Sequence, residues 1–320
     1  MKYILIGPYP PPLGGISVFI YRYAKLLRSQ GVDVECVDFS KLSKSVKILK
    51  FIEWICSPTP TCFHLNGFNF NIMQILLFRP FPKQFNLHDH SGRKVLSLSS
   101  KEKVILGKFL ASTSKAVVVG RHILDYYNKA GLVLPENTEV KHAYIPPPIE
   151  DEPSIWQSYE QTTLDFIKSH KPMIIANAFR IEFYEGIDLY GLDMCIELLY
   201  RLKADFNDIG IVFALAGIGN YEYYEQCLLK IRDLEIEDNF HFMTGQKELW
   251  PLFKQADLMV RPTFNDGYGI SIAEAIDMGC PALASDVCER PEGTIIFKNR
   301  SIDSLVLLAH NILSISENNK

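Results

Sequence analysis

The sequence predicts an α/β protein made of two doubly wound parallel sheets, one following the other along the chain. Three observations lead to this. The chain has 320 residues, more than a single hydrophobic core commonly fills. Two series of short β-branched or apolar runs alternate with helical patterns. A proline-rich break separates the two series. With 48% apolar and 22% charged residues, the composition is that of a globular chain.

In the first series, residues 3–7, 32–37, 61–65, 85–87, 116–119 and 140–145 read as strands. Between the first two, Ile16, Phe19, Ile20, Tyr23, Leu26 and Leu27 recur at helical spacing and Gly31 closes the run. Strand, helix and strand make a βαβ unit with a right-handed crossover and parallel strands. At Pro146-Pro147-Pro148, followed by Glu150-Asp151-Glu152-Pro153, regular structure must stop, because proline lacks an N–H and fixes φ. The domains are therefore placed at 1–150 and 151–320. The second series puts strands at 173–176, 211–216, 240–243, 258–260 and 282–284. In open parallel sheets ligands sit beyond the carboxyl ends of the strands, so two such domains facing each other would make a cleft.

The net charge of −4 conceals a division: residues 1–150 hold 19 basic and 10 acidic residues, and residues 151–320 hold 14 and 27. The first half is thus suited to an anionic partner. Lys41, Lys44, Lys47 and Lys50 alternate with Leu42, Ile48, Leu49, Phe51, Ile52 and Trp54, a pattern fitting either an anionic membrane surface or an ordinary solvated helix. Nucleic acid is not expected, because no recognition motif accompanies the basic residues. No run approaches the roughly 18–20 apolar residues of a membrane span, and Met1 leads almost directly into a strand pattern. A cytoplasmic location is expected, peripheral to the membrane if the basic half docks there. The seven cysteines are odd in number, widely spaced and without a C-x-x-C pair. They read as reduced, buried thiols with neither zinc nor a disulfide framework.

The stretch richest in chemistry runs from Arg261 to Pro281, from a strand through a glycine-broken loop into a helix. Asp266 and Glu274 have seven residues between them. On one continuous helix they would lie roughly 80° apart, so spacing alone aligns nothing. The loop changes this: Asp266 precedes the helix and Glu274 lies about one turn into it, so both can face a cleft. Gly267 and Gly269 let backbone approach a ligand, and the free N–H groups that follow, from Ile270 on, favour an anion such as a diphosphate. The plainer alternative is a helix N-cap by Asp266 and a solvated Glu274.

Here the sequence resembles glycosyltransferase family 4. The resemblance rests on the two acids, Pro262, Gly267-Tyr268-Gly269, Glu274-Ala275, Gly279-Cys280-Pro281 and Ala284-Ser285-Asp286, and it reaches back to Gly7-Pro8-Tyr9 through Gly14-Gly15-Ile16. It implies a GT-B fold: two Rossmann-like domains facing across a cleft, the first on the acceptor side and the second binding the donor. It also implies transfer from a nucleotide-diphosphate sugar to a hydroxyl acceptor with retention of configuration, without a metal or other cofactor. By the same resemblance Glu274 would hold the ribose and Asp266 the donor sugar, with Tyr268 and Ile270 beside them, and Gly14 and Gly15 would approach the donor phosphates. Gly217 and Gly219 match another family loop or are turn residues.

Arg180 stands where the family places an arginine for the leaving diphosphate, but Glu185 occupies the position of the expected lysine. Arg261, Arg290 and Lys247 are the candidates for the missing cation, Arg261 first because it ends a strand just before the acidic loop. It could equally partner a nearby carboxylate. His88 matches a family histidine near the reacting sugar, where a neutral imidazole would hydrogen-bond an oxygen. His64 and Asn66 occupy a comparable place on the preceding strand, and His90 and Arg93 are weaker candidates. The implied acceptor is a glycan or lipid-linked intermediate of surface polysaccharide synthesis. A nucleotide-sugar epimerase and a non-catalytic partner subunit stay open as alternatives.

Overall fold

The computed structural model describes residues 1–90 and 92–318, without the side chains of residues 93 and 316–318. The chain divides into two compact units, Met1–Ile145 and Pro146–Lys320. The division thus falls at the start of the proline run, not at residue 150.

Unit 1 runs β1 (Lys2–Ile6), α1 (Gly15–Ser29), β2 (Val34–Val37), α2 (Lys44–Cys56), β3 (Thr61–Asn66), α3 (Phe70–Leu77), β4 (Lys83–Asp89), α4 (Ser100–Ala111), β5 (Thr113–Val118), α5 (Arg121–Ala130) and β6 (Thr138–Val140). Its six strands pair in parallel in the order β2-β1-β3-β4-β5-β6. One sheet face packs Ile4, Phe63, Leu65, Phe85 and Leu87 against Trp54 of α2, Met73 of α3, Phe109 of α4 and Tyr127 of α5. The other packs Leu5 and Val34 under Phe19, Ile20, Ala24 and Leu27 of α1. Those α1 residues include three of the six that set the helical period in the sequence.

Two details of unit 1 depart from the sequence reading. The last strand covers Thr138–Val140, not 140–145. In α2 the expected mixed basic and aromatic face is split: Trp54 is buried, with Phe51 packed against the same core, whereas Ile48, Leu49 and Ile52 are 58%, 64% and 52% exposed. Aromatic packing decides the split, since Phe51 stacks on Phe39 at 5.3 Å and Trp54 meets Phe39 and Phe63 edge-on at 5.4 Å.

Unit 2 opens with α6 (Glu152–Ser158) and α7 (Gln161–Ser169). It continues with β7 (Met173–Ile181), β8 (Phe183–Tyr184), β9 (Ile187–Asp188), α8 (Leu192–Leu202), β10 (Gly210–Gly219), α9 (Tyr221–Asp233), β11 (Phe240–Thr244), α10 (Trp250–Phe253), β12 (Leu258–Arg261), α11 (Ile270–Asp277), β13 (Ala282–Ser285), β14 (Ile295–Phe297) and α12 (Ile302–Asn318). Its six-stranded parallel sheet has the order β11-β10-β7-β12-β13-β14. The order of strand addition switches sides between β7 and β12, and in such sheets the crevice outside the carboxyl ends of those two strands is where ligands bind. The sequence reading lacked β14 and the small β8–β9 hairpin.

Each unit is therefore a doubly wound, Rossmann-like sheet, as the alternating pattern predicts. All seven cysteines are free, but only Cys62, Cys195, Cys227 and Cys280 are buried as expected; Cys36 and Cys288 are half-buried and Cys56, at the end of α2, is exposed. Among the described residues no helix is long and apolar enough to cross a membrane, and no group of three or more His, Cys, Asp or Glu side chains gathers as a metal site.

Candidate active site

The switch crevice of unit 2 is polar and charged. Arg261 ends β12 and Asn177 lies on β7, so the topology brings both to the carboxyl side of neighbouring strands. Asp266 follows in the loop, and its carboxylate collects donors. Arg261 grips it with two parallel bonds, Nε to Oδ2 at 2.6 Å and Nη2 to Oδ1 at 3.1 Å, a geometry that only a guanidinium fork provides. Arg290, beyond β13, donates from Nη1 to Oδ2 at 2.7 Å, Thr263 Oγ1 donates at 3.3 Å, and the Gly267 N–H reaches Oδ1 at 2.9 Å. Burial opposes the Asp266 charge, but Arg261 and Arg290 outweigh it and hold the carboxyl well below the usual carboxylate range.

Both guanidiniums are anchored on their other sides. Arg261 Nη1 donates to Asn177 Oδ1 at 3.1 Å and to Ser271 Oγ at 3.4 Å, and Ser271 Oγ donates to the same Asn177 oxygen at 3.0 Å. Arg290 donates to the Ser285 carbonyl at 3.0 Å and to Thr263 Oγ1 and Ser285 Oγ, both at 3.1 Å. Its side chain is 2% exposed, against 10% for Arg261 and 14% for Asp266. Two arginines sharing one carboxylate leave this cluster with an excess positive charge.

The cluster adjoins the start of α11. Its N-cap is Gly269 at φ +84°, a left-handed conformation that favours glycine. A Cβ there would lie 2.7 Å from Ile272 Cδ1 and 3.2 Å from Arg290 Nη1. No side chain caps the helix; the Ile272 N–H turns back to the Gly269 carbonyl at 3.0 Å, so the N–H groups ahead of the first intrahelical bond are those of Ile270 and Ser271. Uncapped N–H groups, the helix dipole and the excess cation all favour an anion at this end. Glu274, the fifth residue of α11, is buried. It lies close enough to Tyr159 that burial, Glu248 and Glu274 together push the Tyr159 hydroxyl up.

Other residues of unit 2 stand further from the sequence reading. Arg180 is exposed at the end of β7, its Nε bonded to Glu182 at 3.1 Å. Glu185 occupies the two-residue turn of the β8–β9 hairpin at φ +52°, with Gly186 at +77°. Lys247 donates its amine to the Ser158 carbonyl. Tyr268 is half-buried, and burial raises its hydroxyl, with Glu289 and Asp277 acting the same way. Gly219 is required by the fold: at φ +75°, a Cβ would lie 2.4 Å from the Ile181 carbonyl. Gly217 has open space around it.

In unit 1 the structure gathers His64, His88 and His90 beneath α1. His88 and His90 stack at 4.2 Å, and Phe19 meets them edge-on at 4.6 and 5.0 Å. Tyr3 OH lies 2.8 Å from His64 Nδ1, and Asn66 Oδ1 lies 3.2 Å from His90 Nε2. His64 and His88 are each 4% exposed, and their Nε2 atoms have no hydrogen-bond partner among the described residues. Burial, with His90 and Lys115 adding repulsion, lowers His64 to about 3. Burial lowers His90 to about 4 and takes His88 further still. All three imidazoles are neutral near pH 7. The Arg93 side chain lies outside the described part. Gly14, which caps α1, has an extended backbone that any residue adopts, and its N–H meets Ser17 Oγ at 2.9 Å; the helix begins at Gly15.

Sequence reasoning gave no role to Asn177, Thr263, Ser271 or Ser285. Ser285 lies in a motif that carries the resemblance; the signal for the others is position, at or just beyond the carboxyl ends of strands and at a helix start.

Comparison with known proteins bears first on unit 2. Residues 169–306 match the family model described as glycosyl transferases group 1. A stretch of 98 residues is 31% identical to the lipopolysaccharide glucosyltransferase WaaG of Escherichia coli (strain K12), covering 31% of this chain and 25% of that one. The match thus spans about a quarter of that relative's length. The whole fold resembles Anabaena HepE in complex with UDP (TM-score 0.64, 13% identity, 99% of this chain and 91% of that one). It is similarly close to a glycosyltransferase from Rickettsia africae ESF-5 (0.66, 12%, 98% and 88%). A third likeness is to sucrose-phosphate synthase from Thermosynechococcus elongatus (0.63, 14%, 98% and 90%). At these identities the likeness is one of fold.

Proposed function

We propose that the chain moves a sugar from a nucleotide-diphosphate sugar to a hydroxyl acceptor, with unit 2 holding the donor and unit 1 serving the acceptor. The observation carrying this reading is the anion-favouring end of α11, where uncapped N–H groups adjoin two buried arginines that share one carboxylate. As negative charge grows on a departing diphosphate, donors fixed in advance there would stabilise it. Glu274 is assigned to the ribose, as in the family 4 pattern, with retention of configuration and no metal requirement. WaaG, a lipopolysaccharide glucosyltransferase, supports a glycan or lipid-linked acceptor. The exposed Ile48, Leu49 and Ile52 of α2, with Lys44 beside them, support docking at an anionic membrane surface from the cytoplasmic side.

A panel of UDP-, GDP-, ADP- and dTDP-sugars, incubated with lipid-linked glycan extracts in EDTA, tests this. Nucleoside diphosphate release that depends on acceptor, with an α-linked product from an α-linked donor, is the expected result. One observation favours a second reading, that of a non-catalytic partner: Arg180 is tied to Glu182, and Glu185 stands where a cation is expected. Donor binding without turnover would establish that reading, and a changed sugar without acceptor would mark an epimerase.

A further inference from the structure

A carboxylate offers about four lone-pair sites, and that of Asp266 already receives five donors: Arg261 Nε and Nη2, Arg290 Nη1, Thr263 Oγ1 and the Gly267 N–H. Little is left for a sugar hydroxyl. What the five bonds do is join three segments: the end of β12 through Arg261, the loop through Thr263 and Gly267, and the chain beyond β13 through Arg290, itself tied to Ser285. Arg261 is then stretched from Asp266 to Ser271 on the first turn of α11.

We infer that Asp266 is a positioning residue, not a sugar ligand: with Arg290 it fixes Arg261 and the loop so that the guanidinium and the start of α11 together seat the donor's diphosphate. Asp266 supplies one negative charge against two positive ones, and the substrate supplies the balance. The cation missing at Glu185 is thereby provided from β12. The inference rests on the donor-binding reading of unit 2 and changes the role that the family resemblance gives Asp266.

Calorimetric titration of the full chain with UDP, GDP and ADP, and with the matching monophosphates, tests it. Each of these ligands has the ribose but none carries the transferred sugar. Asp266→Asn and Arg290→Lys should each weaken the preferred diphosphate at least about tenfold and leave the monophosphate nearly unchanged. The double variant should be no weaker than either single one, because the two residues act as one unit. Asp266→Glu, which keeps the charge, should recover part of the loss and serves if the Asn variant is poorly folded. Wild-type affinity for the diphosphate in Asp266→Asn, with loss confined to kcat or to the sugar-bearing donor, would overturn the inference and return Asp266 to the sugar. Additive losses in the double variant would also overturn it. A wild-type chain that binds no nucleotide at all would instead bring down the donor reading itself.

Discussion

The switch crevices of the two units solve the same problem in opposite ways. Strand order switches once in each parallel sheet, between β1 and β3 in unit 1 and between β7 and β12 in unit 2, and polar side chains stand near it at the carboxyl ends of strands. In unit 1 the group beneath α1 is uncharged: His88 and His90 stack on each other, Phe19 meets both edge-on, and His64 and His88 each have an Nε2 without a hydrogen-bond partner among the described residues. In unit 2 they are ions, with nearly every donor and acceptor used. Neutral groups tolerate dry surroundings at the cost of a charge they cannot take up. Ions keep their charge only while the whole network is complete.

The sharpest way to break this contrast is Asp266→Ala. It leaves two buried guanidiniums facing each other and should destabilise unit 2 by about 3–5 kcal/mol, measured by urea unfolding resolved with pulsed hydrogen exchange. A loss below about 1 kcal/mol would mean that solvent, not Asp266, balances the arginines.

Acid should separate the units next. The histidines of unit 1 have folded pKa values below the ordinary 6.5, with about 3 for His64 and about 4 for His90. Unfolding therefore takes up protons below pH 6.5, and stability falls as pH falls through that window. Going from pH 6.5 to 5.5 should cost unit 1 about 1 kcal/mol per buried imidazole. The depressed Asp266 carboxyl of unit 2 works at lower pH, with stability present above the ordinary carboxylate value of 3.8 and lost below it. Equal loss in both units between pH 6.5 and 5.5 would contradict the assignment.

Smallest is a glycine pair within unit 2. Gly219→Ala should cost roughly 2 kcal/mol, because left-handed backbone and the nearby Ile181 carbonyl both oppose a Cβ. Gly217→Ala should stay within about 0.5 kcal/mol. Thermal melts of the two variants decide whether this loop's glycines serve folding separately, as their surroundings indicate.

The helical period of Ile16, Phe19, Ile20 and Leu27 and the short apolar runs of β1, β3, β7 and β10 carried the fold in plain view, because a helix packed on a sheet buries one stripe and a parallel strand is buried on both faces. Three-residue β14 and the β8–β9 hairpin left too short a pattern to register. The acidic loop and Arg261 were legible through their glycines and position. The convergence of Arg290 and Ser285 with Asp266 was not, since it depends on strand order, which no local pattern records. His88 was rightly read as standing at a strand's end, but its depth beneath Phe19 follows from α1 packing over that end.

Each sheet is drawn from one uninterrupted stretch of chain, with no strand exchanged across Ile145. During synthesis the first stretch can close all five of its pairings while the second is still being translated, so nascent unit 1 never waits with an open edge for a strand made later. Exchange of whole halves between related chains could then be attempted at Pro146 without cutting a ladder.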